Sequence, residues 1–377
     1  MDWINLAWTN GVSFLFILTV IVFFHELGHY AVARFNGVRV EVFSIGFGPE
    51  IYGWTAKSGT RWKISLLPLG GYVKMFGETM SGAGDEDEVE LSEEEKSVSF
   101  HSKKVGQRAA IVVAGPLANF LLAIVVLTVL FSTAGQPFTA AEIGKVQAGS
   151  AAATAGMRPG DKFVSIDGRA VERFEDVQGI VRMAAGEELT FTIRRDGRDI
   201  VVKATPKHHE LVDRLGNKSK IGLLGVTRAG PNYVRHNPAE AVYRATLETW
   251  RISAMTLQAV GQIIVGSRSA EGLGGPIRIA QMSGQVAELG LVNLFWFLSL
   301  LSINLGLINL FPIPMLDGGH LVFYGIEAVQ GRPVSDRFME YGFRFGLGLV
   351  VTLFLFVTAQ DLLRFEAIAR FFQGLVS

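Results

Sequence analysis

The 377 residues are 49% hydrophobic and 19% charged, with a mean hydropathy of +0.32, which is poorer in charge than an ordinary soluble protein. The 35 basic and 35 acidic residues cancel, so charge makes no case for a nucleic-acid partner. The absence of cysteine excludes disulfides and thiolate metal sites, leaving His, Asp and Glu as the strong metal ligands.

This balance predicts a polytopic α-helical membrane protein with a soluble insert. From Ile4 to Phe24, 21 consecutive residues carry neither charge nor histidine, enough to cross a bilayer as a helix. Ala31-Val32-Ala33 has the small-x-small form of a cleavage site. No Lys or Arg precedes the run, however, and the run is longer than a signal core, so residues 1–36 read as an uncleaved first transmembrane helix. Its inner end carries His25-Glu26-Leu27-Gly28-His29. On a helix, His25 and His29 share one face and can share one metal ion, with Glu26 placed to take a proton from water. Ionisable groups at membrane depth are costly, so the cluster is either functional or a pair of histidines that cap the helix at the membrane surface.

Residues 37–108 follow as a polar, basic region. Ten Lys and Arg lie between Ala31 and Arg108 and none precedes the first helix. The positive-inside rule places this region in the cytoplasm and the N-terminus outside. Val38 to Phe76 alternates β-branched and aromatic residues and is broken at Gly46, Gly48-Pro49, Lys57-Ser58-Gly59 and Gly70-Gly71, which reads as short hairpin strands. Such a hairpin is either structural or an edge that accepts an extended peptide, with Gly71, Tyr72, Val73 and Lys74 the candidate edge. Residues 81–95 hold eight Asp or Glu and read as a solvated, mobile loop. Ala109 to Phe131 is a second uncharged span, assigned to 109–132, and contains Gly115-Pro116-Leu117-Ala118-Asn119. The Gly-Pro pair and the amide permit a kink or close helix contact.

A soluble domain is expected over 138–207. It runs through Ile143–Val146, Gly149-Ser-Ala-Ala-Ala, Ala155 to Asp161 and Phe163 to Gly168, then a helix near Phe174–Met183. Strands Leu189–Arg194 and Asp199–Ala204 follow, joined by Arg195-Asp196-Gly197. These elements resemble a bacterial, circularly permuted PDZ domain, which implies an α+β module that binds a peptide ligand. No clear carboxylate-binding loop precedes Ile143, and Gly222-Leu-Leu-Gly-Val226 is the downstream candidate. Residues 208–286 read as a linker and an amphipathic helix, Pro238 to Val265, lying on the membrane or packed on the bundle. Residues 287–320 hold a third apolar span, about Leu289 to Leu310. It runs into Asn309-Leu-Phe-Pro312-Ile-Pro314-Met-Leu-Asp317-Gly. Prolines two apart end a regular helix, so Asp317 is expected on irregular backbone at membrane depth. Residues 321–377 supply a loop, a last span from about Phe345 to Leu363, and a tail.

Two histidines leave a catalytic zinc one protein ligand short, and Asp317 is the strongest candidate for it. Asn309 or Asn119 is the candidate donor to a developing oxyanion. His25-Glu26-Leu27-Gly28-His29, Gly115-Pro116-Leu117-Ala118-Asn119 and Asn309 to Asp317-Gly, in this order and membrane context, resemble the three signature motifs of the site-2 protease family. The inserted PDZ-like domain is similar to that of the bacterial regulator of sigma-E protease type, where two tandem PDZ domains are common and one is found here. The resemblance implies an intramembrane zinc metalloprotease with Zn2+ on His25, His29 and Asp317 and with Glu26 as catalytic residue. It further implies single-span membrane protein substrates, such as a trimmed anti-sigma factor or remnant signal peptides. Four crossings place both termini and the PDZ-like domain in the periplasm, and the active site near the cytoplasmic face of the cell inner membrane. The competing expectation is a non-catalytic PDZ-bearing scaffold or sensor with a structural metal.

Overall fold

The computed structural model describes residues 3–77, 92–138, 140–212, 218–230, 232–266 and 274–363. The chain divides into two compact units, one made of Met1–Leu130 with Ala239–Ser377 and the other of Phe131–Pro238.

The first unit opens with α1 (Trp3–Phe35), whose apolar run gives no point at which a helix would stop. Strands β1 (Val40–Thr55) and β2 (Arg61–Met75) then pair with repeated register shifts. The expected short strands are therefore corrected to two long ones. The glycine breaks are absorbed as bulges that bend each strand without ending it. Val42 lies opposite both Lys74 and Arg61, Ile45 opposite both Gly71 and Ile64, and Tyr52 opposite Ile64. Four extended segments thus lie side by side in the order 71–75, 40–45, 61–65, 50–55, and 71–75 forms one edge. Phe43 is fully buried, stacked on Trp62 with ring centroids 4.2 Å apart. Ile51, Tyr52, Trp54, Leu66, Leu67 and Leu69 are exposed at the far end, an apolar rim larger than water-facing sheets carry. Most of the acidic block lies outside the described residues. Its last part enters α2 (Glu93–Val98), where Ser92 and Glu95 form a capping box.

Helix α3 (Val105–Thr133) contains Pro116 and packs closely on α1. A Cβ at Gly28 would lie 2.3 Å from the Ala114 carbonyl oxygen, so only glycine admits this approach.

The second unit contains β3 (Gln136–Phe138), β4 (Ile143–Val146), α4 (Ala151–Thr154), β5 (Lys162–Ile166), β6 (Arg169–Ala170), α5 (Phe174–Met183), β7 (Leu189–Arg195), β8 (Arg198–Ala204), β9 (Lys207–Val212), β10 (Lys218–Leu223), β11 (Val226–Arg228) and β12 (Asn232–Val234). A four-stranded antiparallel sheet runs in the order β6-β5-β7-β8. Its inner face packs Phe163, Ile166, Phe191 and Ile193 against Val177 and Val181 of α5. The β7–β8 turn holds Asp196 and Gly197 at φ 50° and 80°, the pair of left-handed residues that a tight hairpin requires. The boundary expected at 207 is corrected by strand pairing. β11 pairs with β4, β12 with β3, and Leu224 is buried in the core, so the unit continues to Pro238.

Beneath the sheet edge, Asp161 is 1% exposed and takes two hydrogen bonds from the Arg195 guanidinium, both at 2.7 Å, and one from the Arg158 backbone. Burial alone would raise its pKa, but Arg195 and the Arg158 N–H outweigh it and hold this carboxyl below the usual range.

The first unit resumes with α6 (Pro238–Ile264), which packs on the bundle. Its small and polar face is inward, with Ala241, Ala245, Ile252 and Ser253 buried, while Tyr243, Leu247, Trp250 and Leu257 point outward. Thr256 donates to Asn304 Oδ1 at 3.0 Å. Helix α7 (Pro276–Glu288) is a packed element that the linker reading does not anticipate. Its first amides, Gly275 N and Arg278 N, donate to buried Asp361 at 3.2 and 3.0 Å. Three helices complete the unit: α8 (Leu291–Asn309), α9 (Asp317–Gln330) and α10 (Asp336–Leu363). The last span begins about two turns earlier than expected, because Glu340 and Arg344 pair along the helix instead of breaking it.

Thr9–Phe35, Val105–Thr133, Leu291–Asn309 and Arg337–Leu362 are long and apolar enough to cross a membrane. The protein is an integral membrane protein.

Candidate active site

Four helices, α1, α3, α8 and α9, bring the site together. α1 presents His25 and His29 one turn apart, each 8% exposed. Asp317 is the first residue of α9 and not part of an irregular segment. The irregular backbone is confined to 310–316, where Met315 adopts φ 87°. That value is strained for a side-chain-bearing residue, and it is held at the turn that delivers the carboxylate.

His25 Nε2 lies 3.3 Å from Asp317 Oδ2, His29 Nε2 3.6 Å from Oδ1, and the two Nε2 atoms are 3.2 Å apart. His29 Nδ1 donates to the Ile111 carbonyl at 2.9 Å, which assigns the proton to Nδ1 and leaves Nε2 as a bare lone pair. Lone pairs and a carboxylate thus converge in a buried space, and Asp317 Oδ2 has no hydrogen-bond donor there. A cation satisfies all three. A tetrahedral ion with bonds of about 2.05 Å separates its ligands by roughly 3.3 Å, close to the spacings here. Gly115 forms the wall behind this point, for a Cβ there would sit 2.2 Å from His29 Nε2. Among the described residues, His25, His29 and Asp317 are the group able to hold a metal.

The structure divides the two asparagines. Asn309 ends α8 with its Nδ2 3.4 Å from His25 Nε2, on the metal-facing side. Asn119 is fully buried with its amide 3.2 Å from His25 Nδ1, the opposite side of the ring. Ser302 donates to the Asn119 backbone carbonyl at 2.8 Å and fixes that turn against α8. Glu26 points to the sheet edge: its Cγ is 3.4 Å from where a Gly71 Cβ would lie, and its carboxylate faces the Val73 N–H. Gly71, Tyr72, Val73 and Lys74 therefore lie beside Glu26. The Ile111 carbonyl was invisible to motif reading, since any residue type supplies a carbonyl. Gly115 was visible, but only as a packing residue.

Two histidines and an aspartate converge on one point able to hold a metal, with a glutamate beside the first histidine, in a chain with four helices long and apolar enough to cross a membrane. The chain belongs to peptidase family M50, whose profile matches residues 13–353. It is 48% identical over 358 residues to a Mesorhizobium japonicum protein provisionally named a zinc metalloprotease, covering 93% of this chain and 98% of that one. It is 39% identical over 389 residues to metalloprotease MmpA of Caulobacter vibrioides, covering 97% and 98%. The PDZ domain of an SdrC-like protein from Listeria monocytogenes matches 25% of this chain and 92% of its own length at 16% identity, with a TM-score of 0.19, too low to define a common fold.

Proposed function

We propose that this protein is an intramembrane zinc metalloprotease that hydrolyses peptide bonds within single-span membrane proteins. The observation that carries the reading is the cluster of His25 and His29, on a helix of bilayer-crossing length, with Asp317 at the start of α9 eight residues after the end of another, and Glu26 alongside. His25 and His29 would hold zinc through Nε2 and Asp317 through its carboxylate. Zinc supplies Lewis acidity, polarising the scissile carbonyl and making water acidic enough to attack near neutral pH. Glu26 takes the proton of the attacking water and returns it to the leaving amide nitrogen. The Asn309 amide donates to the carbonyl oxygen as it gains charge. The Asn119 side-chain amide, 3.2 Å from His25 Nδ1, holds the ring so that Nε2 faces the metal point.

A substrate helix satisfies its own backbone groups, so it must unwind before it can be cut. The 71–74 edge would receive the unwound segment as an added strand, drawing the Val73 N–H away from Glu26 and freeing that carboxylate. The basic residues from Arg34 to Arg108 support a cytoplasmic position for this sheet, with termini and the PDZ-like unit periplasmic in the inner membrane. A scaffold with a structural metal would need a closed, four-ligand site, whereas the described residues offer three.

The test is reconstitution with a helical membrane substrate. Wild type should cleave it, a chelator should stop it, and Glu26→Gln should slow cleavage by about 10²-fold or more while retaining metal. Cleavage at wild-type rate by Glu26→Gln would refute the mechanism.

A further inference from the structure

Arg108 and Glu327 form an ion pair remote from the cluster, and both side chains are nearly buried at 11% and 12% exposure. Arg108 Nη2 donates to Glu327 Oε1 at 2.6 Å and its Nε to the Lys103 carbonyl at 3.1 Å. The guanidinium carbon lies 4.9 Å from the centre of the Tyr324 ring. Two charges withdrawn from water in this way contribute little net stability against an apolar pair of equal volume, and their best-attested use is to fix register.

The elements joined are those whose register the site needs. Arg108 stands three residues before Ile111, whose carbonyl holds His29, and seven before Gly115, which walls the metal point. Glu327 stands ten residues beyond Asp317 on the same helix, about 15 Å along it at 1.5 Å per residue. Between them, Leu321 and Tyr324 of α9 pack on a cluster that includes Ile111, Val112 and Ala33. The turn before Asp317, with two prolines and the positive φ of Met315, is held by short-range bonds such as Leu316 N–H to the Ile313 carbonyl at 3.0 Å and not by a continuous helical ladder. A helix moves as a rod, so any axial slide of α9 displaces Asp317 by the same amount, and ligand positions tolerate about 0.2 Å.

We infer that the Arg108–Glu327 pair is a positioning device for Asp317, locking α9 in register with α3 so that the carboxylate meets the two histidines; this rests on the metal-ligand reading of His25, His29 and Asp317. Neither residue touches substrate or metal.

The test measures cobalt(II) affinity of the full-length protein in detergent by chelator competition, with its visible spectrum and thermal unfolding. Glu327→Gln should weaken cobalt binding about tenfold and alter the spectrum. Arg108→Met with Glu327→Met leaves no unpaired buried charge, so it should keep its unfolding temperature while still losing about tenfold in affinity. Exchange of the charges, Arg108→Glu with Glu327→Arg, should restore affinity to within about threefold. Wild-type affinity and spectrum in the double Met variant would overturn the proposal and leave the pair merely structural. If that variant does not fold, a folded charge-exchanged protein that remains tenfold weak overturns it equally. Cobalt binding in wild type that survives Asp317→Ala unchanged would instead overturn the metal-ligand reading itself.

Discussion

Gly115→Ala separates the demands of the helix from those of the site. In a helix interior, alanine is favoured over glycine by about 1 kcal/mol, so α3 by itself should gain stability. The added Cβ, however, would sit 2.2 Å from His29 Nε2, 2.5 Å from Cε1 and 2.8 Å from Cδ2, where ordinary contacts begin at 3.4 Å. The ring must therefore retreat by about 1 Å, several times the 0.2 Å that metal–ligand distances tolerate. Its retreat also stretches the 2.9 Å bond from Nδ1 to the Ile111 carbonyl, which is what sets the tautomer. Losing an outer contact of this kind weakens metal binding about 10- to 100-fold, and displacing the ligand itself places the expectation at the upper end. Zinc content after dialysis against a graded chelator, read with thermal unfolding of metal-free protein, tests it. The expected result is a protein whose metal-free form melts no lower than wild type yet retains little zinc. Full zinc content with unchanged turnover would falsify the geometry derived for His29 and the wall behind it.

Other substitutions test the supports around the site. Val73→Pro removes the N–H that faces Glu26 and interrupts the sheet edge. Turnover of a helical substrate should fall about tenfold, the equivalent of one lost hydrogen bond, with zinc content unchanged. Asp361→Ala deprives the first turn of α7 of its acceptor and should cost about 1–2 kcal/mol, seen as faster amide exchange at Arg278 with little change at Leu298. Arg195→Met should destabilise the 131–238 unit by roughly 2 kcal/mol at neutral pH. Because Asp161 is held below its unfolded pKa, its stabilisation is present above about pH 4 and lost as pH falls through the folded value. Wild type should therefore weaken over that acid range and Arg195→Met less so, as measured by amide exchange at Phe163 and Phe191.

The spans and the pairing of the two histidines were legible because each rests on an intrinsic signal. An uncharged run longer than 20 residues has few alternatives to crossing, and histidines four apart share a helix face whatever surrounds them. What escaped the sequence depends on partners distant along the chain. α7 was unreadable because its N-terminus is completed by Asp361, 86 residues from Gly275. The soluble unit was cut short because β11 and β12 are three residues each and exist only through pairing with β4 and β3. Asn119 and Asn309 looked equivalent as amides, and only the fold places one behind His25 and the other beside its reactive nitrogen. Met315 carries no signal in its residue type for the φ of 87° that it adopts.

The cluster takes its ligands from α1 and α9, so the third arrives 288 positions after the second, with the whole 131–238 unit between. A ribosome making this chain exposes the two histidines early and Asp317 only after most of the protein has left the tunnel. Until then the nascent chain has a glutamate and two imidazoles without the third member of the cluster. On the metal-ligand reading proposed above, the order of these residues along the polypeptide would delay completion of the centre until the chain has been made through Asp317.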